Sequence, residues 1–145
     1  MKIFCKKYQK KFAELKNSCN FATETKNKST MNTTLNHRVT IYVPSTYEGN
    51  KPARRMARKA TAHTARVFSA LFGGATATKA AGYWVSDTKG LIKETQTLVF
   101  SACTEADKEK HTARVIDTAR ALCRWMKQEA VTVEIDGTLQ FVTAE

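Results

Sequence analysis

The order of strand-like and helix-like segments after residue 38 is the feature that most restricts what this chain can fold into. Val39, Ile41 and Val43 alternate with polar residues, which predicts a β-strand that ends at Pro44. A helical pattern follows and ends at Gly73, a common helix terminator. The remaining pattern predicts a hairpin at 80–86 and 91–103, a second helix at about 105–128, and strands at 131–135 and 139–142.

This order predicts an α+β fold of the ferredoxin-like type. It reads β-α-β-β-α-β with an extra C-terminal strand, and in the ferredoxin-like arrangement two helices cover one face of an antiparallel sheet. The Asp136-Gly137 pair is a strong signal for a tight turn between the last two strands. The length and the 42% apolar content suit one ordinary core, so we predict a single domain over residues 31–145.

Residues 1–30 differ from the rest and are predicted to be a basic extension. They hold eight Lys and two Glu, which supply more than half of the formal charge of +11. Phe4, Tyr8, Phe12 and Leu15 recur at helical spacing among lysines and predict a short basic amphipathic helix. Such a helix could contact a membrane surface, a partner protein or nucleic acid. Alternatively Met31 is the natural start, and a chain beginning there is expected to keep its melting temperature.

The sequence gives no sign of a metal, a cofactor or a membrane segment. The four cysteines form no CxxC pair, and the three histidines show no metal-ligand spacing. No apolar run follows the basic N-terminus or is long enough to cross a bilayer. We therefore predict no metal site, no cofactor and no transmembrane segment, and a cytoplasmic location.

A cluster of cations marks the predicted start of the first helix, where Asn50 is a suitable cap and Pro52 suits the first turn. Because a helix N-terminus already carries partial positive charge, these cations are unfavourable there and indicate an anionic ligand. The second helix follows the dipole rule, since Thr104–Asp107 resembles a capping box and Glu105 and Asp107 lie in its first turn. The alternatives are a solvated face and a nucleic-acid contact. The cluster consists of Arg54, Arg55, Arg58 and Lys59.

Glu94 is the acidic residue that stands out on the second hairpin strand. Like Ile92 and Leu98 it has an even number, so the three side chains are expected on one face of the strand. A four-residue turn at 87–90 would place Glu94 opposite Tyr83 on the same face. A carboxylate among apolar neighbours needs a partner or a cavity, which indicates a role in a pocket. The alternative is a β-bulge or a solvated position. No set of residues forms a nucleophile, a base and an orienting group.

Apolar residues on both faces of the predicted sheet indicate self-association. Tyr42 and Trp84 belong to strands, and Trp125 lies off the apolar stripe of the second helix. Since extra apolar surface commonly marks an interface, we predict a homo-oligomer, with a dimer as the first expectation. The alternative is a two-layer monomer with scattered aromatic residues.

Three segments carry a resemblance to a known group of proteins. They are Leu-Phe-Gly-Gly-Ala-Thr at 71–76, Gly-Tyr-Trp at 82–84 and Gly-Leu-Ile-Lys-Glu at 90–94. Together they resemble small uncharacterised proteins of bacteriophages and bacterial mobile elements with a predicted ferredoxin-like fold. The resemblance covers roughly residues 39–135 and implies a fold and a genomic setting, with no established activity. The 30-residue basic extension departs from that group.

These observations support three hypotheses for function. The main one is a non-catalytic oligomer that binds an anionic small molecule such as a nucleotide, with the arginines on phosphate. In it Tyr83 or Trp84 stacks on a base and Glu94 accepts a hydrogen bond from the base; the resemblance implies sequestration of a signalling nucleotide. The second is a nucleic-acid-binding module. The third is a small lyase-type enzyme with Glu94 as general acid or base.

Overall fold

The computed structural model describes residues 33–48 and 51–145, and within them Leu35–Glu145 form one unit. The predicted extension at 1–30, the boundary after it and the cap at Asn50 lie outside these residues. The strands are β1 (His37–Pro44), β2 (Thr46–Tyr47), β3 (Lys51–Pro52), β4 (Thr76–Ser86), β5 (Gly90–Cys103), β6 (Val131–Ile135) and β7 (Thr138–Val142), and the helices are α1 (Arg54–Phe72) and α2 (Glu105–Met126).

Five strands form one sheet in the order β4-β5-β1-β6-β7, and every neighbouring pair is antiparallel. The helices α1 and α2 pack against this sheet and against each other. Strands β2 and β3 form a separate two-stranded ribbon between β1 and α1. The predicted α+β architecture with an antiparallel sheet and two helices is therefore confirmed.

The core lies between the two helices and the residues of odd number on β1. Ile41 at the centre of β1 is fully buried, as are Phe68 of α1 and Leu122 of α2. The rings of Phe68 and Phe72 meet edge to face, with centroids 5.5 Å apart. Burial of side chains of this size, at about 25 cal/mol per Å² of apolar surface, is the main stabilising contribution.

Helix α1 begins later than the sequence indicated. Its N-cap is Ala53, which offers no side-chain hydrogen bond, because Lys51–Pro52 pair with Thr46–Tyr47 as strand β3. The buried residues are consequently Ala60, Thr64, Phe68 and Phe72. Met56 and Leu71 pack against the core as partly buried side chains, whereas His63 is exposed. The predicted stop is confirmed, since Gly73 has a φ of 87° and donates its N–H to the Ser69 carbonyl.

The other two local signals are also confirmed. Thr104 caps α2 by accepting a hydrogen bond from the Asp107 N–H, as expected for a capping box with Asp in the third position. Asp136 and Gly137 have φ values of 51° and 82°, the left-handed conformations that a tight type I′ hairpin turn needs.

Four charged or ionisable side chains join the start of β1, the start of α2 and the last turn. His37 lies between two carboxylates, with Nδ1 2.8 Å from Asp136 Oδ2 and Nε2 in contact with Glu105. Lys108 Nζ lies 3.0 Å from the same Asp136 oxygen. The Arg38 N–H donates to Asp136 Oδ1 and, with His37 and Lys108, holds the pKa of Asp136 far below its ordinary value of 3.8. Asp136 therefore links three elements.

Replacing Asp136 by Asn is expected to lower the melting temperature by a few degrees at neutral pH. A carboxyl with a depressed pKa in the folded state stabilises the fold above its unfolded pKa, and this stabilisation is lost as pH falls through the folded pKa. The difference between wild type and Asp136→Asn should therefore shrink as pH falls below about 4. Thermal scans at pH 5 and at several lower pH values measure it; a difference that stays constant or grows below pH 4 contradicts this assignment.

Candidate functional site

A groove lies between α1 and strands β4 and β5, on the helix side of the sheet. It has a volume of about 1060 Å³. It exists because α1 packs mainly over β5 and β1 and leaves the inner face of β4 uncovered. Its apolar wall consists of small residues, which leave space that larger side chains would fill: Ala57, Ala62 and Ala65 on α1, and Ala77 and Ala81 on β4.

Hydroxyl groups line the floor of this groove where β1 ends. Ser45 Oγ donates to the Thr95 carbonyl at 2.5 Å and lies 2.6 Å from Thr95 Oγ1. The Ser45 carbonyl accepts from the N–H of Ala53, the N-cap of α1. Thr61 and Thr97 add two further hydroxyls. Ser45 thus contributes a polar group to the groove and fixes the start of the helix that forms its wall.

Three cations line the groove. Arg54 and Arg58, one helical turn apart, line it on the side of α1, and Lys79 lines it on the side of β4. None of the three makes an ion pair within the described part of the chain. Because the N-terminus of α1 adds its own partial positive charge, the α1 side of the groove favours a carboxylate or another anion. Within the described residues no acidic side chain lines the groove.

The charge of the domain is divided unequally between its two halves. Residues 51–104, which contain α1, β4 and β5, hold nine Lys and Arg against two Asp and Glu. Residues 105–145 hold six against eight. The groove therefore lies in a half with a net formal charge of +7, while the other half is at −2.

The hairpin of β4 and β5 extends beyond the rest of the sheet as a two-stranded arm, residues 81–86 and 90–95. The pairing of β1 with β5 ends at Pro44 and Gln96, so the arm's strands pair only with each other. Val85 and Leu91 are 75% and 68% exposed, and the Lys93 ammonium lies 5.7 Å from the Tyr83 ring. An isolated two-stranded ribbon with exposed apolar side chains is marginally stable in water, which makes this arm a candidate contact surface.

The register of the arm corrects the prediction for Glu94. Ser86 pairs with Gly90 across a loop of three residues, and the pairing continues without a bulge, so Glu94 lies opposite Gly82. Tyr83 pairs with Lys93 and projects from the other face. Since a shift of one residue reverses every side chain, the expected pairing of Glu94 with Tyr83 is wrong. Glu94 is exposed and shares its face with Trp84.

The predicted ligand-binding residues thus fall into three places. Arg54 and Arg58 line the groove, whereas Arg55 and Lys59 are exposed on α1 outside it. Tyr83 lies on the arm, on the groove side of the sheet, and Trp84 and Glu94 occupy the opposite face. Sequence reasoning missed the wall of alanines and the Ser45–Thr95 pair. The signal available was the number of small residues on α1 and β4, which leaves one strand uncovered.

Among the described residues, the other reactive side chains offer no alternative centre. Cys103 and Cys123 are buried, and burial raises the pKa of both thiols, which keeps them protonated. His111 packs its ring against Phe72, with centroids 5.7 Å apart. Among residues 33–48 and 51–145, no three His, Cys, Asp or Glu side chains are grouped as metal ligands would be. None of the helices described is long and apolar enough to cross a membrane.

Comparisons with known proteins give matches among solved structures alone. No protein-family model and no curated protein matches the chain. The chain is similar to a phage SAM lyase in complex with S-methyl-5′-thioadenosine, with 23% identity and a TM-score of 0.57. It is also similar to a phage SAM lyase in its apo state, with 20% identity and a TM-score of 0.55. Each match covers 75% of this chain and 90% of the other, and at these identities the likeness shows a shared fold.

These matches change the ranking of the three hypotheses. The link to phage proteins that the resemblance implied is supported. The main hypothesis, a non-catalytic protein that binds an anionic small molecule or nucleotide, is contradicted because the matched proteins are enzymes. The third hypothesis, a small lyase-type enzyme, agrees with them better than the nucleic-acid-binding module does.

Proposed function

We propose that this chain is a lyase that cleaves SAM, S-adenosylmethionine, and releases S-methyl-5′-thioadenosine. The observation that carries the proposal is the shared fold with phage SAM lyases across 90% of their length, one of them holding S-methyl-5′-thioadenosine. The groove beside α1 supports it, since its volume of about 1060 Å³ reaches the upper end of the range of small-molecule sites, about 300–1,000 Å³. We place the substrate there.

The residues of the groove suit the two ends of this substrate. A purine ring is apolar on its faces, and the alanines of α1 and β4 offer apolar contacts with few side-chain atoms in the way. The hydroxyls of Thr61 and Thr95 supply hydrogen-bonding groups for ring nitrogens and ribose hydroxyls. At the other end Arg54 and Arg58 are suited to hold the substrate carboxylate by charge-assisted hydrogen bonds.

The reaction breaks the bond between the sulfonium sulfur and the adjacent carbon of the four-carbon amino acid fragment. The electron pair stays on sulfur, which becomes the neutral thioether of S-methyl-5′-thioadenosine. In one route an oxygen of the fragment's own carboxylate bonds to that carbon and closes a lactone ring. In the other route a base removes a proton from the neighbouring carbon, and a carbon–carbon double bond forms. Both routes need a substrate held in one conformation, and fixing the carboxylate with Arg54 and Arg58 supplies it.

A positively charged substrate also needs an acidic group that this groove lacks. We propose that Glu94 of a second copy supplies it, as a counter-charge for the sulfonium or as a general base. Glu94 lies on the far face of its own arm and cannot reach the groove of its own chain, but the arm is exposed and extends beyond the sheet. Its apolar residues Val85 and Leu91 would be covered in a homo-oligomer.

The remaining expectations fit this proposal. The strand order β4-β5-β1-β6, with β7 as an additional edge strand, supports the ferredoxin-like type as the finer fold class. In this assembly Tyr83 and Trp84 of the arm would contact a second copy, and Arg55 and Lys59 would raise the local positive potential that attracts the carboxylate end. The proposed assembly contains at least two copies, with a dimer as its simplest form.

The full chain incubated with SAM is expected to produce S-methyl-5′-thioadenosine, measured by liquid chromatography with mass spectrometry. Ala62→Trp, which fills the groove, is expected to reduce the rate by at least about 10²-fold, since misplaced substrate costs this much. The matched control is Ala121→Trp at an exposed position of α2, which should retain the rate. The proposal fails if the wild type releases no S-methyl-5′-thioadenosine above the protein-free rate, or if Ala62→Trp is fully active.

A further inference from the structure

Strand β4 is an edge of the sheet formed by the described residues. It runs over eleven residues, Thr76–Ser86, pairs with β5 without interruption, and no strand from residues 33–48 or 51–145 lies on its other side. An edge strand presents a row of unpaired N–H and C=O groups, which proteins usually shield with short strands, prolines, bulges or several charges. Between Thr76 and Gly82 there is no proline, no bulge and one charge, Lys79.

The opposite edge of the same sheet provides a contrast. Strand β7 has five residues, and the backbone that follows it is tied to α2. Arg124 donates to the Ala144 carbonyl at 2.9 Å, and Arg120 donates to the Glu145 carbonyl at 3.1 Å. One edge is therefore short and fastened, whereas the other is long and open, which indicates that β4 has a partner strand.

The charges around β4 indicate the chemistry of that partner. Helix α1, which lies beside the strand, carries five Arg and Lys and no acid. Lys79 lies in the strand itself, and Lys93 in the strand that pairs with it. The proposed contact through the arm brings Glu94 to these cations, whereas pairing β4 with β4 of another copy would bring Lys79 and the cations of α1 against their own counterparts. A partner strand with negative charges is attracted where a second copy of the same strand is repelled.

We infer that the open edge of β4, from Thr76 to Gly82, binds an extended acidic segment of another protein as a sixth strand of the sheet. Main-chain hydrogen bonds would supply the affinity, and alternate side chains would point toward α1. Lys79, on the face of β4 that looks toward α1, is the cation of the strand that acidic side chains could reach. The main-chain contacts lie on the outer backbone of β4, outside the space proposed for the substrate.

The test uses two labelled nine-residue peptides of equal charge, an alternating Glu-Val peptide and one in which the central valine and the next glutamate are both N-methylated. The Glu-Val peptide is expected to bind the full chain saturably by fluorescence anisotropy. The N-methylated peptide should bind at least about tenfold more weakly, because one of two adjacent N–H groups must face β4 and neither can donate to the ladder. In hydrogen exchange, the Glu-Val peptide should slow amides within 76–82 and leave those of β7 unchanged.

Charge variants supply the second measurement. Lys79→Glu is expected to weaken the Glu-Val peptide severalfold, and Lys110→Glu, on an exposed part of α2, should leave the affinity unchanged. If the two peptides bind equally, or if binding does not protect the amides of 76–82, then charge alone attracts the peptides. Either result would overturn the inference. Protection of 76–82 that grows with protein concentration in the absence of peptide would assign the edge to a second copy and also overturns it. SAM cleavage by Ala62→Trp tests the substrate groove, and peptide binding tests the edge of β4, so the failure of one proposal can be told from the failure of the other.

Discussion

Glu94→Gln and the double variant Arg54→Gln/Arg58→Gln are each expected to lose at least about 10²-fold in the rate of SAM cleavage, and a mixture of the two is expected to recover activity. Each loss follows from removal of one charge partner of the substrate. Recovery follows because Glu94 lies on the opposite face of the arm from the groove of its own chain. A site built from the arm of one copy and the groove of another can therefore be intact when each chain is defective at a different place.

The size of the recovery reports on the assembly. In a dimer mixed at random from equal amounts of the two variants, half of the molecules are mixed, and each of these has one intact site of two, so about a quarter of the wild-type rate should return. Glu129→Gln, another exposed acid, is the control and should retain full activity alone. Light scattering of each variant shows whether assembly persists. A fully active Glu94→Gln, or two inactive variants that stay inactive when mixed, would exclude the shared site.

The two arginines have a second, opposite effect that separates function from stability. Arg54 begins a helix with no acid in its first turn and no side-chain cap, and Arg58 follows it by four residues. Their replacement by Gln removes repulsion of about 0.3–1 kcal/mol for each cation near the helix dipole, so the inactive double variant should be at least as stable as the wild type. A variant that is inactive and stable has lost a ligand contact, since unfolding cannot explain its loss of activity.

Local chemistry made most of the fold predictable. Gly73, Thr104 and Asp136-Gly137 each decide a helix end or a turn through their own backbone or side chain, and each was placed correctly. These signals do not depend on the rest of the molecule. The alternation of Val39, Ile41 and Val43 was as reliable, because both helices pack against one strand face and bury all three side chains.

The features that were not predictable depend on tertiary geometry. The loop after Ser86 has three residues where four were expected, and this difference of one residue puts Glu94 on the other face of the strand. Sequence patterning does not determine loop length to one residue. The late start of α1 required the pairing of Lys51–Pro52 with Thr46–Tyr47, a two-residue ribbon without a sequence signature. The groove exists because α1 packs over β5 in preference to β4, and no run of residues encodes that position. Arg54 and Arg58 could be recognised as a site, but cations alone do not distinguish a carboxylate from a phosphate.

The other large expected effect concerns the core on which the groove depends. Phe68→Ala is expected to lower the free energy of unfolding by about 3–5 kcal/mol, because a fully buried ring is lost and the surrounding side chains only partly fill the cavity. Phe68 belongs to the core and meets Phe72 edge to face, so its removal loosens the helix that forms the groove wall. Urea unfolding measures the change, and Phe68→Leu, expected to cost less than about 1.5 kcal/mol, keeps the comparison usable if the alanine variant does not fold.

Phe141→Ala is the matched control, since the same side chain on β7 is 74% exposed. Surface substitutions of this kind change the free energy of unfolding by about 0.5 kcal/mol or less, so the two phenylalanines should differ severalfold. The comparison also tests whether the face of the sheet opposite the two helices is exposed in solution. If Phe141→Ala destabilises the protein strongly and the loss grows with protein concentration, then that face is buried against another copy. The contact between copies would then involve β7, and the arm would not be the only surface through which Glu94 is delivered to a neighbouring groove.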